Sequence, residues 1–240
     1  MRIAILLASA ACAFAQTTLD RPFAGQMLDS EHFLRPVYGT SGNFAVDAPV
    51  TGQVISSACS QTLCLAKTES ALISAGIVTP APPGDAKIAI DSTGATVYFP
   101  LTQQFARWQN GSVTMLNLTT EGSVLSLRST PAGLNIAVER AGNVWIIAAD
   151  GTILDSLPVE ADAVLLLPAV TIYATRDDLV LRKGDASELR FPAPGVTALF
   201  AIGSNYVEAI AGNILYALRI AAGREQLFQL PQPGTKGPRR

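Results

Sequence analysis

The chain repeats a pattern of short apolar runs about every 39 residues between Val54 and Pro231. Each unit holds four such runs, separated by turns rich in Gly, Pro, Asn, Asp or Ser, and ends at a breaker. The breakers fall at positions 80, 119, 158, 192 and 231, so the steps are 39, 39, 34 and 39 residues. Four short strands cannot bury their own faces, so successive units must stack around an axis. The pattern predicts an all-β chain that forms a single β-propeller of about five four-stranded blades.

Turn residues support antiparallel pairing within the units. In the third unit, Gly142-Asn143 precedes the apolar run Val144–Ile147, and Asp150-Gly151 precedes the last run. The fifth unit repeats this signal as Gly212-Asn213. Such dipeptides favour tight hairpins, and helical spacing is absent.

One hairpin of the second unit carries a resemblance to a known class of repeat. It is the segment Ile90-Asp91-Ser92-Thr93-Gly94-Ala95-Thr96-Val97-Tyr98-Phe99, a strand, a polar turn and an aromatic strand. This hairpin resembles the WD40-like repeats of exported bacterial propellers, in which an Asp-Gly turn precedes an aromatic strand. The fourth unit departs from the pattern, because Pro168-Ala169-Val170 replaces the turn. The resemblance implies fold and export, and it carries over no functional residue.

Residues 1–15 have the features of a secretory signal peptide. Arg2 gives a positive start, an apolar stretch follows, and Ala13-Phe14-Ala15 is a small-x-small cleavage site. A lipoprotein signal at Cys12 is the alternative, but Ser9 stands where a leucine is expected. No later window is long and apolar enough to cross a bilayer. We therefore predict no transmembrane segment, and a secreted or periplasmic protein after cleavage near Ala15.

Residues 16–50 lie outside the repeat. The run Phe33 to Tyr38 is apolar enough to add a strand, and an open ring would leave strand edges unpaired. We predict that 16–50 is an extension that covers or closes an edge of the propeller, with an incomplete sixth blade as the alternative. The propeller is predicted over 51–231 and a flexible tail over 232–240.

Composition argues against several classes of partner. The formal charge is −2, or −3 once Arg2 is removed, and basic residues cluster only in the tail. A surface that tracks nucleic-acid phosphates is therefore not predicted. We predict no cofactor and no metal, since the single histidine, His32, is far from the cysteines in sequence.

Cys59 and Cys64 are the two cysteines beyond residue 15, and they flank a hairpin turn. In an exported chain, cysteines on neighbouring strands are candidates for a disulfide that pins the turn. The alternative is two buried thiols whose side chains point to different faces of the sheet.

The first strand of each unit is predicted to line the central channel, and these strands carry nothing that titrates. Only the end positions Lys87, Asp91 and Arg128 are ionisable. General acid–base chemistry needs a positioned carboxylate or histidine, so a paired-carboxylate glycosidase site on the channel wall is disfavoured.

Acidic residues collect instead in the loops of one face, which carries the links between units and the turns from second to third strands. The predicted charged set of this face has eight acids and four bases: Lys67, Glu69, Asp85, Lys87, Glu121, Glu139, Arg140, Glu160, Asp162, Arg176, Asp177 and Asp178. Four of the acids are on adjacent units and form the candidate binding site: Glu139, Asp162, Asp177 and Asp178. A cationic ligand or a basic protein surface would bind there with strong salt dependence.

The sequence thus predicts a non-enzymatic exported propeller that binds a protein or a glycan on one loop face. Two alternatives remain open. A structural module of a cell-envelope assembly would expose a large apolar patch on an outer strand. A carbohydrate-active enzyme would require loop carboxylates that converge in a pocket.

Overall fold

The computed structural model describes residues 21–40, 42–60, 62–157, 161 and 163–231. All regular secondary structure in these ranges is β-strand, and they contain no helix that could span a membrane. The predicted signal peptide and tail lie outside the described residues.

Five sheets contain four strands each, and in every sheet consecutive strands pair antiparallel as a simple meander. The first contains β4 (Ser56–Cys59), β5 (Cys64–Lys67), β6 (Ala71–Ser74) and β7 (Ile77–Pro80). The second contains β8 (Lys87–Asp91), β9 (Gly94–Phe99), β10 (Gln104–Gln109) and β11 (Ser112–Leu116). The third contains β12 (Ser123–Thr130), β13 (Gly133–Arg140), β14 (Asn143–Ala148) and β15 (Ile153–Leu157). The fourth contains β16 (Ala163–Leu166), β17 (Val170–Ala174), β18 (Asp178–Lys183) and β19 (Glu188–Pro192). The fifth contains β20 (Ala198–Ala201), β21 (Tyr206–Ala211), β22 (Ile214–Arg219) and β23 (Gln226–Gln229).

The first strands of these five sheets surround a common axis. Each of β4, β8, β12, β16 and β20 neighbours the next, and β20 neighbours β4, so the inner strands of these five sheets enclose the axis. Hydroxyl groups join the blades near the axis: Ser56 Oγ accepts from the Ala86 amide at 3.2 Å, and Ser126 Oγ accepts from the Leu166 amide at 3.0 Å. The prediction of an all-β propeller of four-stranded blades is confirmed.

The number of blades differs from the prediction. Residues expected to close an edge form a sheet of their own, with β1 (Phe23–Leu28), β2 (Leu34–Thr40) and β3 (Asn43–Val46) in chain order. The propeller therefore has six blades and not five, and the alternative of an incomplete sixth blade is the correct one. The repeat pattern missed this blade because it has only three strands, and Pro36 lies within the middle one.

The three-stranded blade fits between the fifth and the first four-stranded blades. On one side, Met27 and Val37 pack with Tyr206 and Leu215. On the other side, Leu28 and Leu34 pack with Val54 and Ala66. Apolar burial on both sides accounts for the docking of this short sheet.

Blade-to-blade packing builds the rest of the core. Trp108 is buried against the first blade, and its Nε1 donates to Thr79 Oγ1 at 3.3 Å. Tyr173, which is fully buried, packs with Val144 and Leu157 of the preceding blade. Each blade thus covers a face of its neighbour, as the repeat requires.

Candidate functional site

The predicted acidic site lies on the end of the propeller that holds the blade links and the turns from second to third strands. We call this end the linker face. Glu139 is near the end of β13, and Asp177 lies in the turn between β17 and β18. Both turns join second to third strands of adjacent blades, so the two residues share this face. Asp162 falls outside the described residues.

The three described acids have different surroundings. The side chains of Glu139 and Asp177 are exposed, and neither carboxylate has an ion pair or hydrogen bond with a described residue. Asp178 is half-buried, and its Oδ2 lies 3.9 Å from Arg190 Nη1 on β19. Two unpaired carboxylates therefore face solvent here, and a third is partly neutralised.

Other charges of the linker face are internal to the protein. Lys67 is fully buried, and its Nζ donates to the carbonyl oxygens of Thr68 and Glu69. Burial lowers the pKa of this lysine. Lys87 Nζ lies 2.8 Å from Asp85 Oδ2 in a local ion pair. The exposed charge of the face is therefore set by fewer residues than the sequence suggested.

The two cysteines meet on the opposite face, which holds the turns from first to second strands. Cys59 ends β4 and Cys64 begins β5, and they are directly opposite each other in the register of that hairpin. Their Cα atoms are 4.1 Å apart and the structure joins their sulfur atoms. This crosslink joins the two strands of the β4–β5 hairpin.

A cavity of about 720 Å³ occupies the axis of the propeller. Its wall is formed by the five inner strands and the residues that flank them. A half-buried apolar residue on or next to each inner strand lines the cavity: Ile55, Ile88, Leu125, Leu165 and Phe200. Leu125 lies at a β-bulge, where the register of β12 and β13 shifts between Val124 and Ser126. The greater part of the wall is apolar, as the sequences of the inner strands predicted.

The ionisable groups of the cavity lie at its ends. Asp85 and Lys87 are at the start of β8, and Asp91 is at the other end of the same strand. Five residues of β-strand separate the ends by about 13 Å. Asp85 and Asp91 therefore do not converge on one point of the cavity. Arg128 lies near the end of β12, on the same side as Asp91.

Asp91 is engaged by neighbouring side chains. Its Oδ1 and Oδ2 accept hydrogen bonds of 2.6 Å from Arg107 Nη2 and Nη1 on β10, and Thr93 donates to Oδ1. These bonds, those of Arg107 first, hold the pKa of Asp91 well below its usual range. A carboxylate held in this way is a structural anion, and it lacks the tuned pKa of a general acid.

Sequence reasoning missed two buried ionisable groups outside this wall. Glu208, in the middle of β21, is fully buried, and its Oε2 accepts from the Leu28 amide at 2.9 Å. Asp29 is buried beside it and pairs with Arg35. A glutamate inside the apolar run Tyr206 to Ala211 was the available signal. Among the described residues, no group of three or more His, Cys, Asp or Glu side chains is arranged to hold a metal ion.

The blades and the axial cavity together define a β-propeller. No protein-family model and no curated protein matches the sequence. Several solved structures match the fold of this chain. A chain of a nidogen/laminin complex has 11% identity and a TM-score of 0.54, over 87% of this chain and 92% of that one. PorZ of Porphyromonas gingivalis, described as an essential bacterial surface component of the type-IX secretion system, has 13% identity and a TM-score of 0.50, over 89% of this chain.

The present chain spans 38% of the PorZ chain. The WD40 domain of Pan2 from Neurospora crassa has 10% identity and a TM-score of 0.48, over 89% of this chain and 80% of the domain. At these identities the likeness concerns the fold.

Proposed function

We propose that this protein is a non-enzymatic exported propeller that binds a protein or a glycan on its linker face. The observation that carries the proposal is the pair of exposed, unpaired carboxylates of Glu139 and Asp177 on adjacent blades. Asp178 and Asp162 add acidic charge to the same site in this proposal. A basic protein surface, or a glycan with amino groups, is the complementary ligand.

Two features of the described cavity support a non-enzymatic role. Its two acids are held by cations, Asp85 by Lys87 and Asp91 by Arg107. Its apolar wall offers neither a histidine nor a pair of adjacent carboxylates for proton transfer.

Export is supported by the sequence of residues 1–15 and by the Cys59–Cys64 crosslink, because disulfides persist in oxidising compartments. Among the structural neighbours, PorZ is described as a surface component, and another was solved in a complex named for two proteins.

When the full chain is expressed with its own first residues in a bacterial host, we expect export and oxidation. Peptide mapping without reduction is expected to show that the first peptide starts at Gln16. It should also show that iodoacetamide has modified neither Cys59 nor Cys64. A chain that retains Met1 in the cytoplasm, or that alkylates at both cysteines, would contradict the proposal of export.

Neutralising the linker face should weaken ligand binding. The double variant Glu139→Gln, Asp177→Asn removes the two unpaired carboxylates with little change in side-chain size. We expect it to lose most of the signal that the wild-type protein gives on an array of basic peptides or amino-containing glycans. Wild-type binding should fall in the same way as salt is raised, because exposed charges are screened beyond about 8 Å at physiological ionic strength.

The matched control is Asp150→Asn, Asp185→Asn, which removes two exposed acids from turns of the opposite face. In both turns the asparagine oxygen still accepts the bonds that Thr152 and Ser187 donate. The control is expected to bind as the wild-type protein does. Equal binding by all three proteins would remove the linker face as the site.

A specific observation also favours the structural alternative. Outer strands of four blades expose large apolar side chains: Ile77, Val78, Met115, Leu116, Ile153, Leu154 and Leu189. Exposed apolar surface on edge strands is typical of interaction sites. Binding that persists after neutralisation of the linker face would favour this outer surface, and with it a role as a module of a cell-envelope assembly.

A further inference from the structure

The axial cavity has the size and lining of a small-molecule site. Its volume of about 720 Å³ falls within the usual range of ligand pockets, about 300–1,000 Å³. Apolar side chains from all five inner strands leave part of their surface open to it, among them Ile90, Leu165 and Phe200. An apolar wall of this extent favours the apolar part of a ligand over water.

The four charged residues that line the cavity sum to zero, but one of the two acids is neutralised by a cation from outside the lining. Asp85 is paired with Lys87 at one end. Asp91 is paired with Arg107, whose two terminal nitrogens bind both of its carboxylate oxygens. Arg128 then remains as the cation of the described cavity wall that has no carboxylate partner. With Arg107 counted beside Asp91, the end of the cavity near the end of β12 has one positive charge in excess.

The hydrogen bonds of Arg128 are also incomplete. Its Nη1 donates to the Leu167 carbonyl at 3.0 Å, which fixes the guanidinium at the cavity wall. Its Nε is buried and has no hydrogen-bond partner in the structure. A buried donor without an acceptor is costly, and charged donors most of all. Burial also lowers the pKa of Arg128, as expected for a cation that lacks a counter-ion.

We propose that the axial cavity binds a small organic acid with an apolar body, whose carboxylate pairs with Arg128 and whose body lies against the inner strands. Guanidinium and carboxylate match in charge and in planar geometry. Ser129, the next residue on β12, also lines the cavity. The site is independent of the linker face, because none of Glu139, Asp177 and Asp178 lines the cavity.

Calorimetric titration with sodium octanoate, and with 1-octanol as its uncharged analogue, tests the proposal. We expect wild-type protein to bind octanoate with a submillimolar dissociation constant and at least about 10-fold more tightly than octanol, since a hydrogen-bonded ion pair in a cavity is worth that much. Arg128→Gln should weaken octanoate binding about 10-fold and leave octanol binding unchanged. Arg128→Lys should keep most of the affinity for octanoate.

Three controls locate the site. Arg224→Gln removes one exposed positive charge from the turn between β22 and β23 and is expected to bind octanoate normally. Leu165→Trp places a larger side chain in the cavity and should abolish binding of both ligands. The linker-face variant Glu139→Gln, Asp177→Asn should bind octanoate as the wild-type protein does. The octanoate titration therefore tests the cavity site independently of the proposed linker-face site.

Several results would overturn the proposal. These are wild-type protein that does not bind octanoate, octanol that binds as tightly as octanoate, or folded Arg128→Gln protein that keeps full affinity. Octanoate binding that survives in Leu165→Trp would place the acid outside the cavity. Should Arg128→Gln fail to fold, the comparison of octanoate with octanol and the Arg128→Lys variant still decide the outcome.

Discussion

Replacing Gly25 with alanine is expected to lower the free energy of unfolding by about 4 kcal/mol or more, because the sixth blade then cannot dock. Gly25 lies at the bulge of β1 with a φ of +141°. A Cβ at this position would overlap the carbonyl group of Ile202 on the fifth blade. That carbonyl accepts the Gln26 amide at 2.9 Å, so any shift that relieves the overlap also breaks this bond. The two nearest atoms belong to the backbone, so movement of the Ile202 side chain cannot relieve the overlap.

Urea and thermal denaturation measure the effect, and two further glycines separate its causes. Gly133 has a similar φ of +131° but open space around it, so Gly133→Ala should cost only the backbone strain, roughly 1–2 kcal/mol. Gly203 approaches the same contact from the fifth blade, where a Cβ would lie near the Ala24 carbonyl oxygen. Gly203→Ala should therefore be nearly as harmful as Gly25→Ala. Equal stability of the Gly25→Ala and Gly133→Ala variants would show that close approach of the blades is unimportant.

The sequence predicted most of the fold but offered the sixth blade only as an alternative, because this blade does not share the repeat. Five blades repeat the same order of apolar runs and turns, and each repetition strengthens the pattern. The segment from Phe23 to Val46 repeats nothing, and its burial comes from neighbours far away in sequence, such as Tyr206 and Leu215. Only the three-dimensional arrangement shows that the fifth and first blades leave room for one more sheet.

The position of the candidate site's residues was also predictable in part from the sequence. Turn position was enough to place Glu139 and Asp177 on one face, because the meander alternates its turns between the two ends. The ion pair of Asp178 with Arg190 depends on the register of β18 and β19, which the sequence left open. Arg128 was recognised as an end position, but its missing counter-ion becomes evident only once Asp91 is seen to pair with Arg107.

Glu208 gives the second large expected effect: Glu208→Gln should stabilise the protein at neutral pH and flatten the pH dependence of its stability. Glu208 lies on β21, where it is fully buried against β1. One of its carboxyl oxygens, Oε1, has no hydrogen-bond partner in the structure. Burial first, and then the nearby Asp29, raise the pKa of Glu208 from its ordinary value of 4.5 to about 8, although the bond from the Leu28 amide acts in the opposite direction.

A raised pKa in a folded carboxylic acid makes stability fall as pH increases. Below pH 4.5 the side chain is protonated in both folded and unfolded chains, and its contribution is complete. Between pH 4.5 and about 8 the unfolded chain ionises while the folded chain does not, so each pH unit costs about 1.4 kcal/mol. At pH 7 the loss is roughly 3 kcal/mol. Glutamine keeps an acceptor for the Leu28 amide and never ionises, so it removes this loss.

Urea unfolding at several pH values between 5 and 8 compares the wild-type protein, Glu208→Gln and Glu31→Gln, the last being an exposed glutamate in the turn between β1 and β2. The wild-type protein and Glu31→Gln should lose stability in parallel as pH rises, while Glu208→Gln changes much less. Glu208 joins the sixth blade to the fifth. The protection of β1 amides from hydrogen exchange, corrected for the intrinsic rate at each pH, should therefore fall with rising pH in the wild-type protein before the protection of the other blades does. Parallel pH curves for all three proteins would mean that Glu208 is already ionised at neutral pH, paired or hydrated within the blade interface.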